Sequence, residues 1–354
     1  MKAHYFRHLL NFKVPSGTSR GVLKTKESWF IVITDKNGYG VGECSLITGL
    51  SPDPASSYED KLKEICNNIC LGIAVLRTRL ELYPSILFGL ETAYLSFESL
   101  DPFVLMASSF TKGEKAIPIN GLIWMGEQSF MKKQIKEKIE NGFDCIKIKI
   151  GALNFDLECK LLKSLRLEYS SKDIEIRLDA NCSFSPNSAL EKLKILSNYD
   201  IHSIEQPIRT KMWDQMAFLC EKSPLAIALD EELIGLTSLK MQTKMLSFIN
   251  PSYIILKPSL VGGLKACDSW IKIAGSKKIN WWSTSALESN IGLNAISQWV
   301  FNKESKMKQG LGTGQLYSNN IDSPCYIDKG FLKYNPKKNW ETAFFSNYIF
   351  KLYD

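Results

Sequence analysis

Short apolar segments that end in a polar residue recur at nearly constant spacing through the last two thirds of the chain. The polar residues at their ends are Lys149, Asp179, Glu205, Asp230, Lys257, Ser285 and Thr313. Successive gaps are 30, 26, 25, 27, 28 and 28 residues, a length that accommodates one strand, one helix and two loops. A strand–helix unit repeated about eight times predicts a (β/α) barrel, with its parallel sheet closed on itself.

Eight apolar segments are predicted as the strands of this barrel. They are residues 117–124, 145–150, 174–180, 201–205, 225–230, 253–257, 280–285 and 310–314. An open, doubly wound α/β sheet is the alternative, and it would place a glycine-rich phosphate loop after its first strand. The segment Asn120-Gly-Leu-Ile-Trp-Met-Gly126 does not provide such a loop. We therefore expect the closed barrel.

The first hundred residues lack this rhythm and predict a separate α+β domain. Residues 30–34 and 39–43 have the pattern of two strands joined by the turn Asp35-Lys-Asn-Gly38, and residues 57–99 have apolar side chains at helical spacing. The expected division is an α+β domain at 1–114, the barrel at 115–321, and a C-terminal segment at 322–354 that packs back on the first domain.

Composition restricts the possible classes of partner. The chain has 354 residues and a net charge of +7, but its basic residues are interleaved with acids, so we expect no nucleic-acid partner. No run approaches the ~18 apolar residues of a membrane helix, and the N-terminus has no secretory pattern. Nine irregularly spaced cysteines and three histidines disfavour a disulfide framework and a zinc site. We expect a cytoplasmic protein, either monomer or homo-oligomer.

Three carboxylates end three consecutive predicted strands. Asp179, Glu205 and Asp230 are expected at one rim, because the C-terminal ends of barrel strands meet at the same end. Unpaired, these acids would repel each other, and a hard divalent cation with oxygen ligands relieves that repulsion. No His or Cys stands at the ends of these strands, which disfavours zinc and iron.

Three lysines bring the opposite charge to the same rim. Lys147 and Lys149 share one face of a strand, and Lys257 ends the strand that lies across a closed barrel from theirs. Two lysines on either side of a cation suit removal of a proton next to a carboxylate, because the cation stabilises the resulting enediolate. Three alternatives remain: the lysines only form salt bridges with the acids, the lysine pair lies exposed on a loop, or the barrel binds a ligand without catalysis.

The motifs at these positions resemble those of the muconate-lactonising subgroup of the enolase superfamily. They are Lys147-Ile-Lys149, Asp179-Ala-Asn181, Glu205-Gln-Pro207, Asp230-Glu231 and Lys257-Pro258, in the order of the family. The resemblance covers nearly the whole chain and implies a barrel of the enolase type with an α+β capping domain. It also implies that Gly40–Ser45 and Thr48–Ser51 belong to a mobile capping loop.

This resemblance implies roles for individual residues. Asp179, Glu205 and Asp230 would bind Mg²⁺, although Glu231 and Glu232 are further candidates for the metal. Lys149 would take the proton with support from Lys147, and Lys257 would be the opposite lysine.

Three further segments are similar to those of the o-succinylbenzoate synthases. They are Thr18-Ser-Arg-Gly21, Ser283-Thr-Ser-Ala-Leu-Glu-Ser289 and Gly310-Leu-Gly-Thr-Gly314. The similarity implies a carbon–oxygen lyase that dehydrates 2-succinyl-6-hydroxy-2,4-cyclohexadiene-1-carboxylate in menaquinone biosynthesis. The residues that would bind this small carboxylate substrate are Arg20, Lys147, Asn181, Ser285, Gly312 and Thr313.

Related activities on the same scaffold remain open, namely those of the N-acylamino acid racemases, dipeptide epimerases and muconate cycloisomerases. The epimerases carry an Asp-x-Asp motif on strand eight, which Gly312-Thr-Gly314 lacks. The serine-rich segment also has a second interpretation, in which Ser285 and Glu288 form the capping box of a helix. Both interpretations can hold, because a helix cap and an anion site use the same backbone amides.

Overall fold

A three-stranded antiparallel sheet begins the chain. The computed structural model describes residues 1–18 and 21–346, and the strands β1 (Lys2–Thr18), β2 (Gly21–Asp35) and β3 (Gly38–Ser45) pair in that order. The predicted hairpin between β2 and β3 is confirmed, and Asp35 accepts the backbone N–H of Asn37 at 2.7 Å in its turn. The predicted substrate residue Arg20 lies outside the described residues.

Three helices pack on this sheet and confirm the predicted helical region. They are α1 (Tyr58–Asn67), α2 (Gly72–Thr78) and α3 (Pro84–Glu98). Helix α3 lies very close to β3, since a Cβ added at Gly42 would stand 1.9 Å from the carbonyl oxygen of Gly89. Buried side chains from the sheet and the helices, Ile31, Leu62 and Leu90 among them, form one core.

Seven parallel strands form most of a barrel in the order in which they occur along the chain. They are β5 (Gly121–Ile123), β6 (Cys145–Lys149), β7 (Glu175–Asp179), β8 (Ser203–Glu205), β9 (Ile227–Leu229), β10 (Tyr253–Leu256) and β11 (Asn280–Ser283), and β4 (Ile117–Pro118) precedes them. Their buried branched side chains fill the core that the strands share with the surrounding helices. The predicted series of strands is confirmed from β6 to β11.

Residues 309 and 310 close the ring. Gln309 pairs in parallel with Ile119 beside β5, and Gly310 pairs in parallel with Thr284 beside β11. The backbone N–H of Gly310 donates to the carbonyl of Ser283 at 2.7 Å, and that of Gln309 donates to Pro118 at 2.9 Å. The closed barrel predicted from the sequence is therefore present.

Two of the eight strand predictions are wrong in extent. The predicted first strand, 117–124, is split, and its first part, β4, pairs with a strand of the C-terminal segment instead. The predicted eighth strand, 310–314, is reduced to the two bridging residues Gln309 and Gly310. Glycine weakens a strand and marks close approaches, and a Cβ at Gly310 would stand 2.5 Å from the hydroxyl of Thr284.

A helix follows each of the strands β5 to β11 after a short connecting segment, so these segments join the C-terminal ends of the strands to the N-terminal ends of the helices. They are α4 (Gln128–Glu140), α5 (Phe155–Glu168), α6 (Pro186–Leu196), α7 (Trp213–Lys222), α8 (Leu239–Ile249), α9 (Pro258–Val261), α10 (Gly263–Ser276) and α11 (Asn290–Phe301). Among the described residues, no helix has the length and apolar character needed to cross a membrane.

The C-terminal segment contacts both parts of the molecule. Its strands β12 (Cys325–Asp328) and β13 (Phe331–Tyr334) form a hairpin, and β13 pairs with β4. Beyond the hairpin, Trp340 stacks on Phe103 at 4.7 Å, and Phe345 packs against Phe30 of β2. On the basis of these contacts, we propose that the chain divides as the sequence predicts, into a capping domain at 1–114, a barrel at 115–321 and a C-terminal segment at 322–354.

Candidate active site

Three buried carboxylates lie side by side at the C-terminal ends of β7, β8 and β9. The side chains of Asp179, Glu205 and Asp230 are each exposed by no more than 2%. Asp179 and Glu205 are direct partners in the parallel ladder, which fixes their separation. The strand geometry thus brings the three predicted acids together.

Three lysines point into the same end of the barrel. The Nζ of Lys147 lies 3.0 Å from Asp179 Oδ2 and 2.5 Å from Glu205 Oε2. Lys149 donates to Asp179 Oδ2 at 3.0 Å, and Lys257 donates to Asp230 Oδ2. These are the salt bridges that the sequence leaves as an alternative, and they also place the lysines where they can meet a ligand.

The positions of β6 and β10 in the ring set two lysines across from each other. Three elements separate these strands on either side, namely β7, β8 and β9 on one side and β11, residues 309–310 and β5 on the other. Lys149 and Lys257 therefore approach the centre of the barrel from opposite directions, as the sequence predicts. The side chain of Lys149 also donates to Asn181 Oδ1 at 2.9 Å, which fixes its direction.

Burial and mutual charge shift the pKa values of this cluster. Burial alone would lower the pKa of Lys147, but the attraction of Asp179, Glu205 and Asp230 outweighs it and raises the pKa well above its usual value. For Asp179, burial opposes ionisation, but Lys147 and Lys149 overcome it and hold the pKa far below its usual value. Burial, followed by repulsion from Asp179, raises the pKa of Glu205 well above normal.

The donor set fits Mg²⁺ in its chemistry. Oxygen atoms are the ligands that this ion takes, and the three acids supply only oxygen. Glu205 Oε1 is buried without a hydrogen-bond partner in the described part of the chain, and the Nζ of Lys257 lies 4.0 Å from it. In residues 1–18 and 21–346, no three His, Cys, Asp or Glu side chains are grouped so as to hold a metal ion, and the three acids form salt bridges with the lysines.

A cavity opens above this cluster, and its floor and wall differ in character. Lys147, Lys149, Asp179 and Lys257 form what we call the charged floor. The apolar wall consists of Leu23, Ile47, Leu50, Leu122, Trp124, Ala286 and Leu287. Among the described lining residues, only Asp179 and Glu231 carry carboxylates, against three lysines, so the cavity favours an anionic ligand with an apolar body.

The strand-eight residues of the sequence prediction also line this cavity. Gly312 and Thr313 lie on it, together with Asn120, which the sequence analysis missed. Thr313 Oγ1 and Asn120 Oδ1 are both buried and have no hydrogen-bond partner among the described residues. Such groups are costly unless a ligand or water satisfies them.

The acids after β9 have separate surroundings. Glu231 lines the cavity and accepts a hydrogen bond from Asn181 Nδ2 at 3.4 Å. Glu232 points away from the cavity, where it accepts from the backbone N–H of Lys211 at 2.8 Å and from Trp213 Nε1 at 2.9 Å. Its other oxygen accepts from Gln206 Nε2 at 3.2 Å. The hydrogen bonds of Glu232 leave no role for it at the floor.

Residues 285–289, which we call the Ser285 turn, connect β11 to α11. The hydroxyl of Ser285 accepts the backbone N–H groups of Leu287 and Glu288 and donates to Glu288 Oε2 at 2.6 Å. The capping-box prediction is wrong, because α11 begins at Asn290 and Ser289 is its N-cap. Ser285 itself lines the cavity, and its role as a substrate residue stays a prediction.

The capping domain contributes wall residues that sequence periodicity could not reveal. Leu23 comes from β2, whereas Ile47, Thr48 and Leu50 come from the loop after β3. The resemblance placed Gly40–Ser45 in a mobile loop, and this is wrong, since those residues belong to β3. Only the second half of that prediction, from Thr48 onward, reaches the cavity. Short irregular loops carry no period, so a pattern of apolar spacing cannot find them.

Comparison with known proteins identifies the family. A family model described as enolase C-terminal domain-like matches residues 131–335. An o-succinylbenzoate synthase from Desulfotalea psychrophila is 45% identical, over 94% of this chain and 98% of its own length. This chain belongs to the o-succinylbenzoate synthase family of the enolase superfamily. The predicted resemblance is thereby confirmed.

Solved structures of the superfamily agree with the fold. The crystal structure of MenC from Desulfotalea psychrophila has a TM-score of 0.84 at 42% identity, and the match covers 94% of this chain and 99% of that one. A dipeptide epimerase from Enterococcus faecalis, crystallised with Mg and a dipeptide, has a TM-score of 0.82 over 94% of this chain and 96% of its own. At 16% identity, the second likeness shows the fold alone.

Proposed function

We propose that this chain is a Mg²⁺-dependent carbon–oxygen lyase that dehydrates 2-succinyl-6-hydroxy-2,4-cyclohexadiene-1-carboxylate to o-succinylbenzoate. The observation that carries the proposal is a cavity with two opposed lysines on its charged floor and an apolar wall that suits a six-membered ring. The near full-length similarity to an o-succinylbenzoate synthase supports the same substrate.

We propose roles for the charged floor and for the two acids beneath it, Glu205 and Asp230. Asp179, Glu205 and Asp230 would hold Mg²⁺, which supplies positive charge beside the substrate carboxylate. The Nζ of Lys149 removes the proton from the adjacent ring carbon, and the electron pair moves toward that carboxylate. The ammonium group of Lys257 stabilises the negative charge from the other side.

The second half of the reaction uses the same lysine. Lys149 returns its proton to the ring hydroxyl, the carbon–oxygen bond breaks, and water leaves as the ring becomes aromatic. Because one group serves both steps, the proton and the hydroxyl leave from the same face of the ring. Lys147, which bridges Asp179 and Glu205, keeps a positive charge beside Lys149.

The succinyl side of the substrate is assigned to the opposite end of the cavity. Ser285, Gly312 and Thr313 line that region, and the unpartnered hydroxyl of Thr313 supports a polar ligand group there. We infer that Asn181 lies beside the reacting carboxylate, and its contact with Lys149 supports this position. The cysteines at 44, 66, 70, 145, 159, 220, 267 and 325 are free thiols, which supports a reducing cytoplasm as the place of the reaction.

Racemisation of N-acylamino acids is the second candidate function. It is favoured by one observation, namely that Lys149 and Lys257 both line the cavity and could each exchange a proton with one face of a substrate. The dehydration proposal differs in that only one of these lysines moves protons.

The experiment compares the two reactions on the same purified protein. With Mg²⁺ and the cyclohexadiene carboxylate, we expect a decrease in substrate absorbance that EDTA abolishes, and a higher kcat/KM than for racemisation of an N-succinylamino acid. Absence of dehydration, together with efficient racemisation, would contradict the proposal.

A further inference from the structure

Two carboxylates of the capping domain each lie at the N-terminal end of a barrel helix. Glu43 on β3 accepts the backbone N–H of Ser289 at 2.8 Å and that of Gly292 at 2.9 Å, at the start of α11. Glu91 on α3 accepts the backbone N–H of Leu264 at 2.7 Å, at the start of α10. The first N–H groups of a helix lack partners within the helix and carry partial positive charge, so both acids attach the capping domain to the barrel.

The two attachments differ in what precedes each helix. Helix α11 directly follows the Ser285 turn, three residues of which (Ser285, Ala286 and Leu287) line the cavity. Helix α10 follows the short helix α9, and no residue from 258 to 276 lines that cavity. The Glu43 attachment therefore reaches the cavity through the Ser285 turn itself, whereas α9, before α10, contacts that turn through the hydrogen bond from Ser259 to Glu288.

The Ser285 turn holds a backbone conformation that needs external support. Leu287 has a φ of 62°, in the left-handed region that branched side chains seldom adopt, and such residues persist only where surrounding contacts hold them. The capping domain supplies one contact, since Ser45 Oγ donates to the carbonyl of Ala286 at 3.2 Å. The hydroxyl of Tyr317 donates to the carbonyl of Leu287 at 2.7 Å.

Glu43 is itself firmly held, which lets it act as a rigid link. Its carboxylate is fully buried, and Oε1 accepts the hydroxyl of Ser28 at 2.6 Å. Oε2 accepts the hydroxyl of Ser289 at 2.5 Å. The buried ammonium group of Lys26 lies 3.9 Å from Oε1 and supplies the counter-charge. Oε1 therefore accepts hydrogen bonds from the capping domain and from the barrel, and Oε2 accepts hydrogen bonds from the barrel.

We propose that Glu43 is a positioning residue that fixes the Ser285 turn against the apolar wall and thereby sets the affinity for the substrate's side chain. The inference rests on the proposed function for the identity of that substrate. It assigns no chemical step to Glu43, which lies behind the turn rather than on the cavity.

Glu91 provides a matched control for the test. Glu43→Gln and Glu91→Gln each remove one buried charge and turn an accepting oxygen into a donating amide at a helix N-terminus. Both variants should lose about 3–10 °C in Tm, because each loses charge-assisted hydrogen bonds between the two domains. Only Glu43→Gln should raise KM for the cyclohexadiene carboxylate, by about tenfold, with kcat within about threefold of wild type.

Hydrogen–deuterium exchange supplies a readout that does not depend on turnover. Peptides that cover residues 283–292 should exchange faster in Glu43→Gln and unchanged in Glu91→Gln. If wild type shows no dehydration, the proposed function fails, and the exchange result still decides the role of Glu43.

Equal effects of the two variants on KM and on exchange at 283–292 would overturn the proposal, because Glu43 would then be a general clamp between the domains. Unchanged KM and exchange in Glu43→Gln would overturn it as well. If Glu43→Gln does not fold, Ser289→Ala, which removes the hydroxyl that Glu43 Oε2 accepts, replaces it under the same criteria.

Discussion

The charged floor and the apolar wall of the cavity are built in different ways. The floor residues lie in or next to the last three positions of the barrel strands β6, β7 and β10, so the backbone hydrogen bonds of the sheet fix where their side chains begin. Most of the wall comes from irregular segments of both domains, such as the loop with Ile47 and Leu50 and the Ser285 turn. A rigid floor suits the proposed proton transfer, whereas a wall made mostly of loops can change with the substrate.

The largest expected effect falls on the floor. Lys149→Ala should lower kcat by about 10²–10⁴-fold, because the proposed base is lost, and Lys257→Ala by about 10²-fold, because only charge stabilisation is lost. Steady-state kinetics with Mg²⁺ would measure both, with circular dichroism to check the fold. Full activity in Lys149→Ala would show that another group removes the proton.

Metal binding separates Glu205, a predicted ligand, from Glu232, which the sequence leaves as a further candidate for the metal. Glu205→Gln should weaken Mg²⁺ affinity by more than the ~10–100-fold expected for a residue outside the ligand set. Glu232→Gln should leave the affinity within about threefold, since its oxygens already bind Lys211, Trp213 and Gln206, and should instead cost about 1–3 kcal/mol of stability. Titration calorimetry and thermal unfolding would test this contrast, and an equal loss of metal affinity in the two variants would contradict it.

The smallest of the three effects falls on the wall. Leu50→Ala removes about two methylene equivalents of apolar contact at ~0.8 kcal/mol each, so KM should rise about tenfold with kcat nearly unchanged. Leu82→Ala, an exposed leucine of the same domain, serves as the control and should change neither constant. A fall in kcat without a change in KM for Leu50→Ala would show that the wall acts on the chemistry rather than on binding.

The same contrast explains which features the sequence could predict. Lys147, Asp179 and Glu205 belong to segments with a clear strand pattern. Because side chains alternate between the two faces of a strand, the position of each residue in its segment determines the face on which it lies. The spacing of these residues therefore predicts that they converge. The helical region 57–99 and the β2–β3 hairpin were predictable for a similar reason, because apolar periodicity and a turn sequence mark them.

Other features depend on contacts that no local pattern records. Strand β1 escaped prediction because much of it is exposed and only scattered residues, such as Leu10 and Phe12, are buried. The prediction of an eighth strand at 310–314 is wrong, because the glycines at 310, 312 and 314 allow close packing or lie near the cavity and do not form a β-ladder. The spacing from Ser285 to Glu288 fits a capping box at the start of a helix, but α11 begins one turn later, at Asn290.

A crystal structure with Mg²⁺ and o-succinylbenzoate would show whether the ion and the product occupy the charged floor. We expect the ring carboxylate between Lys149 and Lys257, with the ion held by Asp179, Glu205 and Asp230. We expect the succinyl carboxylate at the Ser285 turn. A product bound in the reverse direction, or an ion bound away from the three acids, would contradict these expectations.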